Sequence, residues 1–222
     1  MFIKKDNTLK WNWIIVGALI IGALIFCGIY WGDKTLTPLI CNKGCWPTSN
    51  NWLCSVVLVI GKIFIPKVWL WVSALSVIFF FIYKAVRNEF DFRYAFVKIK
   101  NSYVFYIFCA VFLAYFTTGF LKILIGRSRP YFEGIPHFEP FNYDKIFHSM
   151  PSGHTAISFA GLVMIGMLFP RIKWATWTMA IIIGVSRVYV CAHWPSDVLF
   201  GAFVGMLCAD LVKAALRKIN TK

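Results

Sequence analysis

Long apolar runs separated by short polar segments dominate this chain. A helix needs about 17 to 25 apolar residues to cross a bilayer core of about 30 Å. Six runs predict transmembrane helices, namely Trp11–Trp31, Val68–Tyr83, Tyr103–Gly126, Gly153–Phe169, Ile172–Val190 and Pro195–Leu211. The run Cys54–Ile65 is too short to span and stops before Pro66, which predicts a re-entrant or interfacial helix.

The composition supports a membrane protein. Of the 222 residues, 59% are hydrophobic and 14% are charged, whereas soluble domains carry about 25% charged residues. The sequence has no internal repeat or low-complexity linker, so we expect one domain over residues 1–222. The expected fold is all-α, a polytopic bundle of six transmembrane helices with short interfacial helices in the outer loops.

The net charge of +14 does not indicate a nucleic-acid partner, because the basic residues form short clusters between apolar runs. Six spans would place both termini on one side, together with fourteen of the 23 basic residues. These are Lys4, Lys5, Lys10, Lys84, Arg87, Arg93, Lys98, Lys100, Arg171, Lys173, Lys213, Arg217, Lys218 and Lys222. The positive-inside rule predicts that this side is cytoplasmic.

Unusual polar residues occur where predicted spans meet the opposite, outer side. The fourth run, for example, starts with "HSMPSGH", although a helix that only crosses lipid needs neither histidine. The segments "KILIGRSRP" and "SRVYVCAHWPSD" lie on the same side and supply Lys122, Arg129 and Arg187. Because an isolated cation at the membrane boundary is costly, three of them together indicate a bound anion such as phosphate.

The remaining polar residues of these segments can support catalysis. Ser152 and Gly153 precede a helix, and a helix N-terminus with a glycine lets an anion approach free backbone N–H groups. His193 and Asp197 are four residues apart, which places them on one helix face. The carboxylate can then orient the imidazole as a nucleophile or base, while His154 is available as a proton donor.

The three segments resemble the three-part signature of the type 2 phosphatidic acid phosphatase family, which shares its site with vanadium haloperoxidases. The signature is Lys-x6-Arg-Pro, then Pro-Ser-Gly-His, then Ser-Arg-x5-His-x3-Asp. This chain matches every defined position of the signature, and these positions lie between residues 122 and 197. The resemblance implies an enzyme that hydrolyses lipid phosphates without a metal or another cofactor. Acidic residues on the outer side are scattered, which also argues against a metal site.

The resemblance assigns a role to each matching residue. It implies that His193 attacks phosphorus and forms a phosphohistidine, that Asp197 orients it and that His154 protonates the leaving oxygen. Five groups would hold the phosphoryl oxygens, namely Lys122, Arg129, Ser152, the Gly153 amide and Arg187. His137 and His148 fit no signature position, and we assign them no chemistry.

The expected substrate is a lipid phosphate in the bilayer, reached at the periplasmic face of a bacterial inner membrane. Lipid A 1-phosphate and undecaprenyl diphosphate are favoured, with Arg127 and Lys145 as candidates for holding a second phosphate or a sugar acid. Phosphatidylglycerophosphate or phosphatidic acid hydrolysis and lipid-to-lipid phosphotransfer are the alternatives. A transporter of anionic lipids is a rival of another class, although broken mid-membrane helices and pseudo-repeats are lacking. The sequence does not define an oligomeric state.

The cysteines are relevant to whether the outer loops face an oxidising compartment. Cys41, Cys45 and Cys54 share one polar outer loop, and an oxidising compartment would allow one disulfide there. Cys41–Cys45 and Cys45–Cys54 both remain possible, with one cysteine left over. We expect Cys191 to pack beside the site as a small residue.

Overall fold

The computed structural model describes residues 10–42, 45, 51–86, 102–133 and 136–220. This part of the chain is helical and contains no strand. Its α-helices are α1 (Trp11–Cys27), α2 (Asp33–Ile40), α3 (Trp52–Ile63), α4 (Pro66–Val86), α5 (Tyr103–Ile125), α6 (Pro130–Glu133), α7 (Gly153–Leu168), α8 (Lys173–Tyr189) and α9 (Pro195–Asn220). The all-α prediction is thus confirmed.

The first apolar helix is longer than predicted. A π-helical turn, Gly28–Gly32, joins α1 to α2, so that helix continues over 30 residues from Trp11 to Ile40. The polar residues Asp33 and Lys34, which ended the predicted span, lie inside this continuation. The prediction was wrong at this boundary because the Asp33 side chain is buried within the protein and need not face lipid or water.

Four helices of the described chain are long and apolar enough to cross a membrane: Trp11–Ile40, Pro66–Tyr83, Tyr103–Ile125 and Pro195–Leu216. The other two predicted spans correspond to α7, with 16 residues, and α8, with 17 residues. The six-span count therefore stays a prediction. Lys4 and Lys5 lie outside the described residues, as do Arg93, Lys98 and Lys100, and sidedness stays a prediction as well.

The short run after the cysteine-rich loop forms α3. The Asn51 side chain accepts a hydrogen bond from the Leu53 N–H and so caps its N-terminus. The helix ends just before Pro66, the first residue of α4, and packs against α8. Its helical structure agrees with the prediction, and its place relative to a membrane surface remains a prediction.

Helix α7 is the centre of the bundle, where it packs against α5, α8 and α9. Most of its residues are buried, from Gly153 at its start to Gly166 near its end. The core around it consists of apolar side chains from these helices, including Val111, Ile157, Ile183 and Val204. Protein contacts surround α7, so it can be shorter and more polar at its start than a lipid-facing helix.

Two glycines bring α7 and α9 close together. A Cβ on Gly201 would lie 2.7 Å from the Ser152 carbonyl oxygen, and one on Gly205 would overlap the Ala156 carbonyl group. Gly201 and Gly205 form a G-x-x-x-G pattern, which permits close backbone approach between membrane helices. This contact lies directly beside the first turn of α7.

We expect Gly205→Ala to destabilise the protein by about 1 to 3 kcal/mol, because the new methyl group would force α7 and α9 apart. The matched control is Gly119→Ala in α5, where an added Cβ meets nothing within 4 Å. Thermal melting of both variants in detergent measures the difference. Equal melting temperatures for the two variants would contradict the close α7–α9 contact.

Candidate active site

A pocket of about 200 Å³ brings together residues from all three sequence motifs. It is lined by Pro66, Lys122, Arg129, Gly153, His154, Arg187, Ala192 and His193. The two predicted site residues missing from this lining, Ser152 and Asp197, are fully buried and hydrogen bonded to neighbours of the pocket. The structure therefore places all eight predicted residues at or directly behind one pocket.

Lys122 and Arg129 reach the pocket from either side of the end of α5. Gly126 follows the last residue of that helix and caps it, with a left-handed backbone (φ 58°) that suits glycine and an N–H that donates to the Lys122 carbonyl. The Lys122 ammonium donates to the His148 carbonyl at 2.6 Å, and the Arg129 Nε donates to the Lys145 carbonyl at 3.2 Å. Both cations thus rest on backbone carbonyls of one segment, residues 145–148.

Arg187 enters from the last turn of α8. Its Nε donates to the Ser186 hydroxyl at 3.0 Å, and its Nη2 donates to the Val57 carbonyl of α3 at 3.4 Å. The guanidinium lies against Gly61, where an added Cβ would sit 2.5 Å from Nη2. Helix α3 therefore forms one wall of the Arg187 position.

No ion pair of Lys122, Arg129 or Arg187 occurs within the described part of the chain. A cation that is mostly withdrawn from water and lacks a counter-ion is costly, and a bound anion removes that cost. Guanidinium groups match the oxygens of phosphate in pairs. The charge of this pocket therefore favours a phosphate-sized anion.

Ser152, Gly153 and His154 begin α7. The Ser152 hydroxyl accepts a hydrogen bond from Thr155 Oγ1 at 2.9 Å and does not cap its own helix. Its N–H donates to the Asp197 carbonyl at 3.0 Å, which ties the start of α7 to the start of α9. Gly153 packs against Lys122, since an added Cβ would lie 3.6 Å from the lysine Cε.

His193 lies in the tight turn between α8 and α9 and is almost fully buried. Its N–H donates to the Arg187 carbonyl at 3.2 Å, and Cys191 in the same turn has a left-handed backbone (φ 55°). Burial lowers the pKa of the His193 imidazole to about 3, the cations Lys122 and Arg129 contribute in the same direction, and the Asp197 carboxylate opposes them. The imidazole is therefore neutral at pH 7, as a nucleophile requires.

Asp197 faces the Nδ1 side of this imidazole. The distance from His193 Nδ1 to Asp197 Oδ2 is 3.8 Å, too long for a direct hydrogen bond. The Ser149 hydroxyl lies near both groups, donating to Asp197 Oδ2 at 2.5 Å and standing 3.5 Å from His193 Nδ1. An Nδ1–H directed at this pair leaves Nε2 with a free lone pair.

Residues outside the motif positions hold Asp197 from the side away from the pocket, and the sequence did not predict this role for them. Arg127 was predicted to bind a second substrate phosphate, but it is fully buried and pairs with Asp33 and Asp197. That prediction was wrong, because an arginine between two carboxylates has no free charge to offer a ligand. The side chain of Lys145 is exposed, and Ser149 and Asp33 carried no signal in the motifs.

Two disulfides occur in the described part of the chain, and one of them was not predicted. Cys45 pairs with Cys54, which was one of the open alternatives, while Cys41 pairs with Cys191. Cys191 is therefore a disulfide partner, which the sequence did not reveal because 150 positions separate it from Cys41. The Cys41–Cys191 bond joins the segment after α2 to the turn that carries His193.

A second cavity, of about 520 Å³, lies near α2. Its lining includes Lys34, Thr37, Asn42 and Tyr189, together with Pro130 and Trp194, which follow the site residues Arg129 and His193. None of the eight predicted site residues lines it.

Comparisons with known proteins agree with the resemblance. A lipid A 1-phosphatase of Rhizobium johnstonii is 40% identical over 111 residues, covering 47% of this chain and 46% of that protein. A lipid A 1-phosphatase of Rhizobium etli is 36% identical over 142 residues, covering 61% of this chain and 60% of that protein. An undecaprenyl-diphosphatase of Sulfolobus acidocaldarius is 34% identical over 87 residues. The chain thus spans about half of the length of the two lipid A 1-phosphatases.

The fold also has a solved relative. A transmembrane PAP2-type phosphatidylglycerolphosphate phosphatase from Bacillus subtilis superposes with a TM-score of 0.58, covering 93% of this chain and 95% of that chain at 21% identity. At this identity the likeness concerns the fold alone. Residues 103–220, which include all eight predicted site residues, match the PAP2 superfamily, and the chain belongs to this superfamily.

Proposed function

We propose that this protein is a metal-independent lipid phosphatase that works through a phosphohistidine. The observation that carries the proposal is the pocket itself, in which three cations that form no ion pair with the described residues surround a neutral, buried histidine. Positioned charges and an oriented nucleophile are what phosphoryl transfer requires.

In the first step, His193 Nε2 attacks phosphorus while the bond from phosphorus to the lipid oxygen breaks. His154 gives its proton to that oxygen, so that the lipid leaves as an alcohol, or as a monophosphate when the substrate is a diphosphate. Lys122, Arg129 and Arg187 hold the phosphoryl oxygens, together with Ser152 and the Gly153 amide at the start of α7. The Asp197 carboxylate, with Ser149 beside it, stabilises the positive charge that develops on the imidazole.

In the second step, a water molecule attacks the phosphohistidine. His154, now neutral, takes a proton from this water, and His193 leaves phosphorus with its lone pair restored. The products are inorganic phosphate and the resting enzyme. An acceptor lipid in place of water would give phosphotransfer by the same chemistry.

We propose lipid A 1-phosphate or undecaprenyl diphosphate as the substrate, because relatives with these names share 34 to 40% identity with the matched part of this chain. Arg127 was one of the two candidates for holding a second phosphate, and because it is buried it does not support such a site. We further propose that the pocket opens at the periplasmic face of a bacterial inner membrane, as the charge distribution predicts.

The first experiment measures phosphate release by the purified full chain in detergent with EDTA. Lipid A, undecaprenyl diphosphate, phosphatidylglycerophosphate and phosphatidic acid are compared, with and without an acceptor lipid. We expect release from one of the first two lipids, and a loss of about 10²- to 10⁴-fold in His154→Ala. We expect no measurable turnover in His193→Ala.

The matched control is His137→Ala, which removes an exposed histidine that pairs with Glu139 outside the pocket. Undiminished turnover in His193→Ala would contradict the nucleophile. Appearance of a phosphorylated acceptor lipid without free phosphate would show that the reaction is phosphotransfer and not hydrolysis. Transport of an intact lipid phosphate by the chain in sealed proteoliposomes, with no bond cleavage in detergent, would indicate a transporter and not an enzyme.

Helix α3 offers a separate test of the Arg187 position. Gly61→Ala would push the guanidinium out of its place, so we expect kcat/KM to fall roughly tenfold, in line with weakening of one charge-assisted hydrogen bond. Thermal stability should change little, since the clash involves the flexible end of a side chain. Gly119→Ala is the control. An unchanged kcat/KM in Gly61→Ala would contradict a role of Arg187 in holding phosphate.

The disulfides test the proposed orientation. Peptide mapping under non-reducing conditions should link Cys41 to Cys191 and Cys45 to Cys54 in protein taken from the native membrane, with Cys27, Cys109 and Cys208 as free thiols. Such bonds form in an oxidising compartment, as the periplasm is. Reduced cysteines at all four positions would contradict the periplasmic orientation, and a Cys41–Cys45 link would contradict the observed pairing.

A further inference from the structure

A buried group of charges lies behind the proposed nucleophile, and the three sequence motifs account for only one of its members. We call Asp33, Arg127 and Asp197 the buried charge cluster. All three are fully buried, and they come from the start of α2, the segment after α5 and the first turn of α9. The Arg127 Nη2 is 2.6 Å from Asp33 Oδ2, and its Nη1 is 2.5 Å from Asp197 Oδ1.

The cluster holds the start of α9. Asp33 Oδ1 accepts a hydrogen bond from the Ser196 N–H at 3.0 Å, and Asp33 Oδ2 accepts one from the Ser196 hydroxyl at 2.5 Å. A carboxylate at the N-terminus of a helix is favourable, because free N–H groups and the positive end of the helix dipole meet there. Asp33 thus caps α9 from a different helix.

The same cluster determines how Asp197 faces His193. Oδ1 of Asp197 is occupied by Arg127, while Oδ2 accepts hydrogen bonds from Ser149 and from the Trp194 N–H at 2.9 Å. Each carboxylate oxygen therefore has defined partners. Oδ2 is the oxygen nearer to the imidazole, and these partners hold the carboxylate in that orientation.

The charges of the cluster explain how a second carboxylate, that of Asp33, affects the electrostatic field at the His193 imidazole. Arg127 and Asp197 alone would form a neutral pair, and the arginine would cancel much of the field of Asp197 at the imidazole. Asp33 adds one negative charge in the same low-dielectric environment and leaves the cluster with a net charge of −1. This charge favours the cationic imidazole that forms when His193 bonds to phosphorus.

We propose that Asp33 is a positioning residue for the reaction and acts through Arg127 and Asp197 on His193. The inference rests on the proposed phosphatase function. It adds a residue of the N-terminal helices to those that serve the active site. Asp33 lies outside all three motifs and outside residues 103–220, which match the family.

The experiment compares Asp33→Asn with the wild-type chain in detergent, using the lipid that the wild type hydrolyses best. Asparagine keeps the shape and an oxygen for the Ser196 N–H, but removes the charge. We expect kcat and the rate of phosphohistidine formation in a single turnover to fall tenfold or more. KM should stay within about twofold, because Asp33 does not line the phosphate pocket.

A double-mutant comparison separates positioning from general destabilisation. If Asp33 acts through Asp197, then Asp33→Asn should cost little further activity in an Asp197→Asn background. The matched control is Asp210→Asn, which removes another fully buried carboxylate of α9, about 20 Å further along the helix. We expect this control to lower the melting temperature without a comparable loss of kcat.

Three outcomes would overturn the inference. They are an unchanged kcat in Asp33→Asn, an equal fold-loss in both Asp197 backgrounds, and an equal loss of kcat in Asp210→Asn. If Asp33→Asn does not fold, Asp33→Glu, which keeps the charge but displaces the carboxylate, is used in the same double-mutant comparison, and an equal fold-loss in both Asp197 backgrounds would again overturn the inference. A wild-type chain that cleaves no lipid phosphate would contradict the proposed function itself, whereas an active wild type with an unaffected Asp33→Asn contradicts only the positioning role.

Discussion

The close contact between α7 and α9 is the constraint on which the site depends. The N–H of Ser152 donates to the Asp197 carbonyl, and Gly201 lets the two backbones approach beside this bond. Helix α7 carries His154, the proposed proton donor, and the start of α9 holds Asp197 beside His193. A displacement of one helix against the other would therefore change the distance between the groups that must act together, and a shift of about 1 Å is enough to slow such chemistry severely.

The arginines and the lysine around this contact fall into two groups that differ in their counter-charges. Arg127 lies behind the pocket and pairs with two carboxylates. Lys122, Arg129 and Arg187 line the pocket and hydrogen bond to uncharged groups such as backbone carbonyls. In the described part of the chain no carboxylate pairs with the second group, and a phosphate would supply that charge under the proposed function.

Much of this arrangement could be predicted from sequence, and the limits have a physical cause. Local signals were sufficient for most helices and for bringing the eight motif residues to one pocket, because each motif lies where a helix begins or ends. The spacing of His193 and Asp197 predicted one helix face, but His193 lies in the turn before α9 and only Asp197 is in that helix. Contacts over long separations gave no such signal. The Asp33–Arg127 pair spans 94 positions and the Cys41–Cys191 bond spans 150, so Arg127 was predicted to be a ligand-binding residue and Cys191 a packing residue. The first helix was predicted too short because a buried aspartate resembles a helix end in sequence.

These long-range contacts also indicate where substrate choice must arise. Under the proposed function the motif residues would bind a phosphoryl group, which every candidate lipid shares, so they would not distinguish one lipid from another. The elements around the pocket can do so, namely α3, whose Gly61 shapes the Arg187 position, and the segment 136–148, whose carbonyls hold Lys122 and Arg129. Differences among related lipid phosphatases should therefore concentrate in these two elements, while the cluster behind His193 serves the chemistry that all of them would have in common.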